Sequence, residues 1–245
     1  LEEGRQHDRA GRITDALRCY GEACELGTGS EVAVRVEALR RLGIIHHLRT
    51  RPEDARRLFT QSLELASAIG DDVLAAEAIN ALAGLALESG DIEGARAGFN
   101  RAIVLGRTSP ILVARVEQNL GILANIQGHL AEALGHYERS LAASHAAGDD
   151  RGCAMTYHNL GMICSDRDMG DDAERNCRLS LEIAERLDDV HLQGLCLLNH
   201  SEVHVARQRY DQARRSAEAA LAIFDRLGAR LDKADLDGGG PRNAR

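Results

Sequence analysis

The chain has 245 residues, 44% hydrophobic but only 3% aromatic, with no Trp and a formal net charge of −8. With three prolines and long Ala/Leu/Glu/Arg stretches, that composition supplies a small-residue core and an all-α fold class. Basic residues are dispersed among acidic ones and Lys233 is the sole lysine, which excludes nucleic-acid binding by this segment; no apolar run reaches the ~20 residues that span a bilayer, which excludes a membrane partner.

The predicted helices alternate along the chain. A helix near 12–27 is followed by one near 31–49, and the Arg51-Pro52 step separates it from the next, near 52–69. Gly70-Asp71-Asp72 then opens a helix near 72–89, and Gly90 divides it from one near 91–106. Ser109-Pro110 opens 110–127, Gly128 precedes 129–147, and Gly148-Asp149-Asp150 opens 151–167. Helices near 170–187, 190–207 and 209–227 complete the series. Glycine stops one helix, and Asp caps the next by accepting from its free amides. After Gly228 the chain starts what reads as another first helix, then reaches Leu236-Asp237-Gly238-Gly239-Gly240-Pro241, which cannot continue one. The reading is therefore an array over 1–228 of about six copies, the first partial, and a further repeat or irregular tail over 229–245. An array cut this way is expected to be a piece of a longer protein.

The copies share a register. Asn119-Leu120-Gly121 and Asn159-Leu160-Gly161 stand 40 residues apart; Arg41-Leu42-Gly43 and Ala81-Leu82-Ala83 fit the same frame, and Asn199-His200-Ser201 is a degenerate copy. Twelve residues after each small residue comes an alanine, giving Ala55, Ala95, Ala133, Ala173 and Ala213, with Ala16 one period earlier. Four residues further stand Tyr20, Phe59, Phe99 and Tyr137, replaced later by Cys177 and Ala217. Seven residues past the alanine the side chain is always small: Ala23, Ser62, Ala102, Ser140, Ser180, Ala220. Spacings of four and seven place these on one helical face. Gly121 and Gly161 are expected to admit a close second helix whose facing surfaces are Ala133 and Ala173, with Tyr137 or Phe99 filling the space towards the next hairpin.

This pattern resembles the tetratricopeptide repeat, over about residues 4–228. The resemblance implies a right-handed superhelical solenoid of antiparallel helix hairpins. The period departs from the family's 34 residues, being near 40, and Gly-Asp replaces the closing proline. In both respects it is similar to the extended repeats of bacterial multidomain regulators and of spindle-orientation scaffolds. The resemblance also implies that first helices line the concave surface where peptides lie. The inward row read from the helical phase holds Arg40, Arg41, Asn80, Arg115, Gln118, Asn119, Ile122, His158, Asn159, Met162 and Asn199. Asn119, Asn159 and Asn199 form a ladder whose amides can both donate to and accept from a peptide backbone, or bond a neighbouring helix instead. The mixed row Arg40, Asn80, Gln118, His158, Leu198 carries no lysine, unlike the clamp of chaperone-tail binders.

No catalytic, cofactor or metal constellation is expected. His200 and His204 have metal-ligand spacing but occupy packing positions of the repeat. Cys19, Cys24, Cys153, Cys164, Cys177 and Cys196 form no CxxC pair and read as buried, reduced thiols of a cytoplasmic protein. The functional expectation is a non-enzymatic scaffold that binds a protein or peptide in the concave groove, as the sensor or docking part of a larger bacterial signalling or transcription regulator. The alternative is self-association into homodimers through solenoid ends.

Overall fold

The computed structural model describes residues 1–26, 31–167 and 169–237, of which 229–237 are described by their backbone alone. Among these there are twelve helices and no strand: α1 (Glu2–Arg9), α2 (Ile13–Leu26), α3 (Val32–Leu48), α4 (Pro52–Ala68), α5 (Asp72–Glu88), α6 (Ile92–Leu105), α7 (Pro110–Ile126), α8 (Leu130–Ala147), α9 (Asp150–Asp166), α10 (Gly170–Arg186), α11 (Val190–Ala206) and α12 (Tyr210–Asp237). The class is an all-α helical repeat. Two compact units divide it, one of Leu1 with Tyr20–Thr156 and one of Glu2–Cys19 with Tyr157–Arg245.

The junctions form as the sequence dictates. Asp71, Asp91, Asp149 and Asp189 accept from the backbone N–H three residues on, at 2.9 to 3.0 Å, and Ser109 does so at 3.4 Å. Each satisfies an amide that the first helical turn leaves without a partner. Five residues before the repeat alanine the backbone turns left-handed at Gly11, Thr50, Gly90, Gly128 and Gln208. Glycine suits that conformation; Thr50 and Gln208 adopt it against steric resistance from their Cβ atoms.

Within the first unit the alanines of the register are buried completely, and the hairpins close around aromatic rings. A Cβ built on Gly121 would lie 2.7 Å from Tyr137 Cε1, and one on Gly43 only 2.4 Å from Phe59 Cε1. The glycine thus seats the ring of its own hairpin, a more direct role than admitting the facing alanine. Where Ala83 stands in place of glycine, Gly98 gives up the side chain instead, and its Cβ would meet Ala83 Cβ at 2.6 Å. Phe99 is buried with Ile79, Ala83, Leu112, Val116 and Leu123, joining its own hairpin to the next. Ser62 Oγ donates to the Val36 carbonyl at 2.9 Å, and Ser140 Oγ pairs with Thr156 Oγ1 at 2.9 Å. The small residue at this register therefore also supplies polar stitching.

The second unit repeats the scheme with sulfur in place of aromatic rings. A Cβ on Gly161 would lie 2.8 Å from Cys177 Sγ, and Ser180 Oγ pairs with Cys196 Sγ at 2.9 Å. Burial pushes the Cys177 thiol up to about 12 and the Cys196 thiol up to about 11, so both are protonated packing groups. The expected stop at Gly228 does not occur: α12 runs unbroken from Tyr210 to Asp237. Glycine inside a helix costs about 1 kcal/mol, too little to break a run flanked by Leu, Ala and Arg. Gly238–Pro241, expected to end the order, lie outside the described residues.

Candidate functional site

In the first unit the stripe of α3, α5 and α7 that the helical phase marks as inward is polar and internally bonded. Arg40 donates through Nε and Nη2 to Glu37 at 2.7 to 3.0 Å, and Arg41 Nε donates to Glu37 Oε1 at 2.8 Å. Glu77 on α5 receives Arg115 of α7 at 2.5 Å and lies 3.5 Å from Arg40 Nη1. Five charged side chains thus tie three first helices together. Burial alone would raise the Glu37 carboxyl, but Arg40 and Arg41 overcome it and hold it below its ordinary value. Burial pushes Arg115 down against the pull of Glu77, and Arg40 and Arg41 add to the push. Beyond the ions, Asn119 Nδ2 donates to Asn80 Oδ1 at 2.9 Å. Arg40, Asn80 and Gln118 are buried, while Arg41, Arg115, Asn119 and Ile122 are half-buried.

In the second unit the corresponding stripe is mixed, with exposed apolar side chains set beside His158 and the exposed Glu202. Met162 on α9 and Leu198 and Val205 on α11 are 41%, 44% and 52% exposed. His158 is half-buried, and burial alone pushes its imidazole below the ordinary value. Asn199 is buried and spends its Nδ2 on the His158 carbonyl at 2.9 Å. Asn159 is buried as well, and its Nδ2 has no hydrogen-bond partner. The structure therefore brings Arg40, Arg41 and Arg115 together, and pairs Asn119 with Asn80. Asn199 reaches the backbone of His158 rather than another ladder member.

Sequence reasoning missed a second polar cluster. Glu117 on α7 is buried, with His136 Nδ1 at 2.7 Å and Arg139 Nε at 3.0 Å from its Oε2, both contributed by α8. Glu117 directly precedes Gln118 of the row but sits at a phase that faces the second helix, so only the i, i+3 spacing of His136 and Arg139 hinted at it. Val205 was also missed, although it falls on the same stripe as Leu198 one period of seven later.

Other chemistry is weakly served. Glu3, His7 and Cys19 place ligand atoms within 4.8 Å of one another, yet Arg12 Nε donates to His7 Nδ1 at 2.8 Å. A metal-bound imidazole needs an acceptor at its second nitrogen, so this guanidinium opposes a cation. His200 and His204 stack at 5.4 Å, each pushed down by burial. Cys153 Sγ lies 3.7 Å from His145 Nδ1, but burial raises the thiol, the reverse of an activated nucleophile. A cavity of about 320 Å³ between α9, α10 and α11 is edged by Arg207, which Asp171 holds at 2.6 Å. No described helix is long and apolar enough to cross a membrane.

Comparison with known proteins agrees with this architecture. A family model described as tetratricopeptide repeat matches residues 34–107 and 152–226. The chain is 32% identical over 106 residues to the 43 kDa receptor-associated protein of the synapse from Tetronarce californica; the match covers 43% of this chain and 24% of that protein. It therefore spans about a quarter of that relative's length. Among solved structures, a Rap protein complexed with competence and sporulation factor superposes with a TM-score of 0.68 at 14% identity, covering 93% of this chain and 74% of that one. BtubC (BKLC) from P. vanneervenii superposes with a TM-score of 0.62 at 19% identity, covering 94% of each chain. These similarities establish the fold.

Proposed function

Because the chain belongs to the tetratricopeptide repeat family, we propose that it is a scaffold that holds another protein or peptide against the inward stripes of its first helices. The observation that carries this reading is the chemistry of those stripes. Met162 on α9 and Leu198 and Val205 on α11 offer exposed apolar side chains beside the polar His158 and Glu202. On the other unit, Arg41 and Arg115 reach solvent from a network anchored below them. Apolar anchors and rigidly held guanidiniums are what protein recognition uses.

The solved relative whose structure holds competence and sporulation factor supports the same reading, as does the synaptic receptor-associated relative. We assign the chain to the docking or sensor part of a larger bacterial signalling or transcription regulator in the cytoplasm. The experiment is capture from a bacterial lysate by the wild-type chain and by Met162→Asp/Leu198→Asp. A partner retained by the first and lost by the second, with equal helicity, supports the assignment. A partner retained equally by both contradicts it.

A further inference from the structure

One copy of the repeat is short of side chains. Three residues before the repeat alanine the other copies carry Ile13, Pro52, Ile92, Leu130 and Tyr210, but the copy on α10 carries Gly170. Its neighbours are reduced as well. In the first unit Ala95 and Leu123 lie in one apolar cluster, with Leu87 and Ile92 packed against it. The same register positions in the second unit are Ala173, Val203, Ser165 and Gly170, three of the four smaller than their counterparts. Ala206 likewise stands where the first unit has Ile126. These residues line the cavity of about 320 Å³ where α9 ends, α10 begins and α11 ends. Met169, which precedes Gly170, stays exposed instead of filling it. The close packing that the first unit reaches with its own side chains is completed here only by a group from outside the chain.

We propose that this cavity is a pocket for one branched aliphatic side chain of a partner protein, the group that Ile92 supplies from within the chain in the first unit. Ala173 and Val203 are buried and give the pocket an apolar floor. A Cβ on Gly170 would lie 3.2 Å from Arg207 Nη1 and 3.6 Å from Arg207 Cδ, so the arginine lies beside the glycine at the mouth. Arg207 Nη1 donates to Asp171 Oδ1 at 2.6 Å and stands 3.3 Å from Glu174 Oε2. Those carboxylates hold the guanidinium in place, and its Nε and Nη2 keep donors for the main-chain carbonyls that flank an anchoring residue. An apolar floor under a polar rim is the arrangement of an interface anchor. The volume stands at the lower end of the ~300–1,000 Å³ that ligand pockets span, which suits one side chain rather than a peptide segment. The pocket goes beyond the scaffold reading and stands without it, because it is built at helix ends.

The test titrates N-acetyl-leucine methylamide, a leucine with both flanking peptide groups, into the full chain. Binding is read from the NMR methyl signals of Ala173, Val203 and Ala206, with N-acetyl-asparagine methylamide, of nearly the same shape, as the control. Saturable shifts are expected for the leucine amide with a dissociation constant on the order of 1 mM. The asparagine amide is expected to bind at least about tenfold more weakly, since its polar tip finds an apolar floor. Gly170→Ile and Ser165→Leu restore bulk from two different helices, and each is expected to abolish binding with native helicity and no fall in Tm. At Gly170 the group that must yield is the far end of the Arg207 side chain. Met162→Asp/Leu198→Asp is expected to bind the leucine amide as wild type does, which separates the pocket from the stripes. No saturable shift, equal affinity for the two amides, or wild-type binding by either filled variant overturns the pocket and leaves the scaffold reading standing. Loss of binding in folded Met162→Asp/Leu198→Asp moves the leucine to the stripe and overturns the pocket too.

Discussion

Asn119 Nδ2 donates to Asn80 Oδ1 at 2.9 Å, from two residues before the small residue of α7 to three residues before that of α5. Asn199 repeats the geometry, reaching the His158 carbonyl at 2.9 Å from the same position of α11 to the same position of α9. Two members of the amide ladder read from the sequence, Asn119 and Asn199, thus staple neighbouring first helices, while Asn159 Nδ2 does not. Asn119→Ala leaves the buried Asn80 amide without its donor and is expected to cost about 1–2 kcal/mol. Urea denaturation of the variant against wild type checks this; an unchanged midpoint means the staple carries no stability.

Glycines on the helices divide by what they face. Gly121→Ala drives a methyl group into the Tyr137 ring and is expected to destabilise by about 1–3 kcal/mol. Gly21→Ala meets nothing within 4 Å inside α2 and is expected to stabilise by about 0.5–1 kcal/mol. Thermal melts of the two variants should move in opposite directions. A fall for both would mean that space at the Cβ does not decide.

Thr50 and Gln208 occupy left-handed turns, at φ of 55° and 58°, that Gly90 and Gly128 occupy elsewhere in the register. A non-glycine residue there costs roughly 1–2 kcal/mol, and glycine returns part of that gain as chain entropy. Thr50→Gly is expected to raise stability by about 0.5–1 kcal/mol. A lower melting temperature would show that the Thr50 side chain makes a contribution larger than its strain.

His158, His200 and His204 are all pushed below the ordinary value of 6.5 by burial, and His200 also by its neighbour His204. Glu174 opposes the shift of His200 and His204, while Arg178 adds to it at His200, and Arg207 and Arg209 at His204. As pH falls through 6.5 the unfolded chain takes up these protons before the folded chain does, so stability declines from there downward. The expected result is a lower denaturation midpoint at pH 5.5 than at pH 7.5, and a smaller difference in His200→Gln/His204→Gln. An equal pH dependence in that variant would contradict the assignment.

Much of the fold was legible because glycine, Asp and small residues act locally. A left-handed turn at Gly90 and a cap at Asp91 need no tertiary context, which is why the inner helices fell within two residues of expectation. Gly228 misled because a lone glycine penalty yields to strong helix formers on both sides. That Glu77 and Arg115 share a phase was readable, since both fall on the rows that the register defines. Their pairing was not, because it joins residues 38 apart and depends on how closely α5 and α7 pack. The Glu117–His136–Arg139 cluster was hidden for the same reason: its members belong to two helices, and nothing in either alone marks them as partners.

The most direct test of the scaffold account is hydrogen–deuterium exchange of the chain alone and with its captured partner. The account predicts that new protection appears in α3, α5 and α7, or in α9 and α11, while α4, α6, α8 and α10 exchange as before. Protection confined to those second helices, with the first helices unchanged, would contradict it.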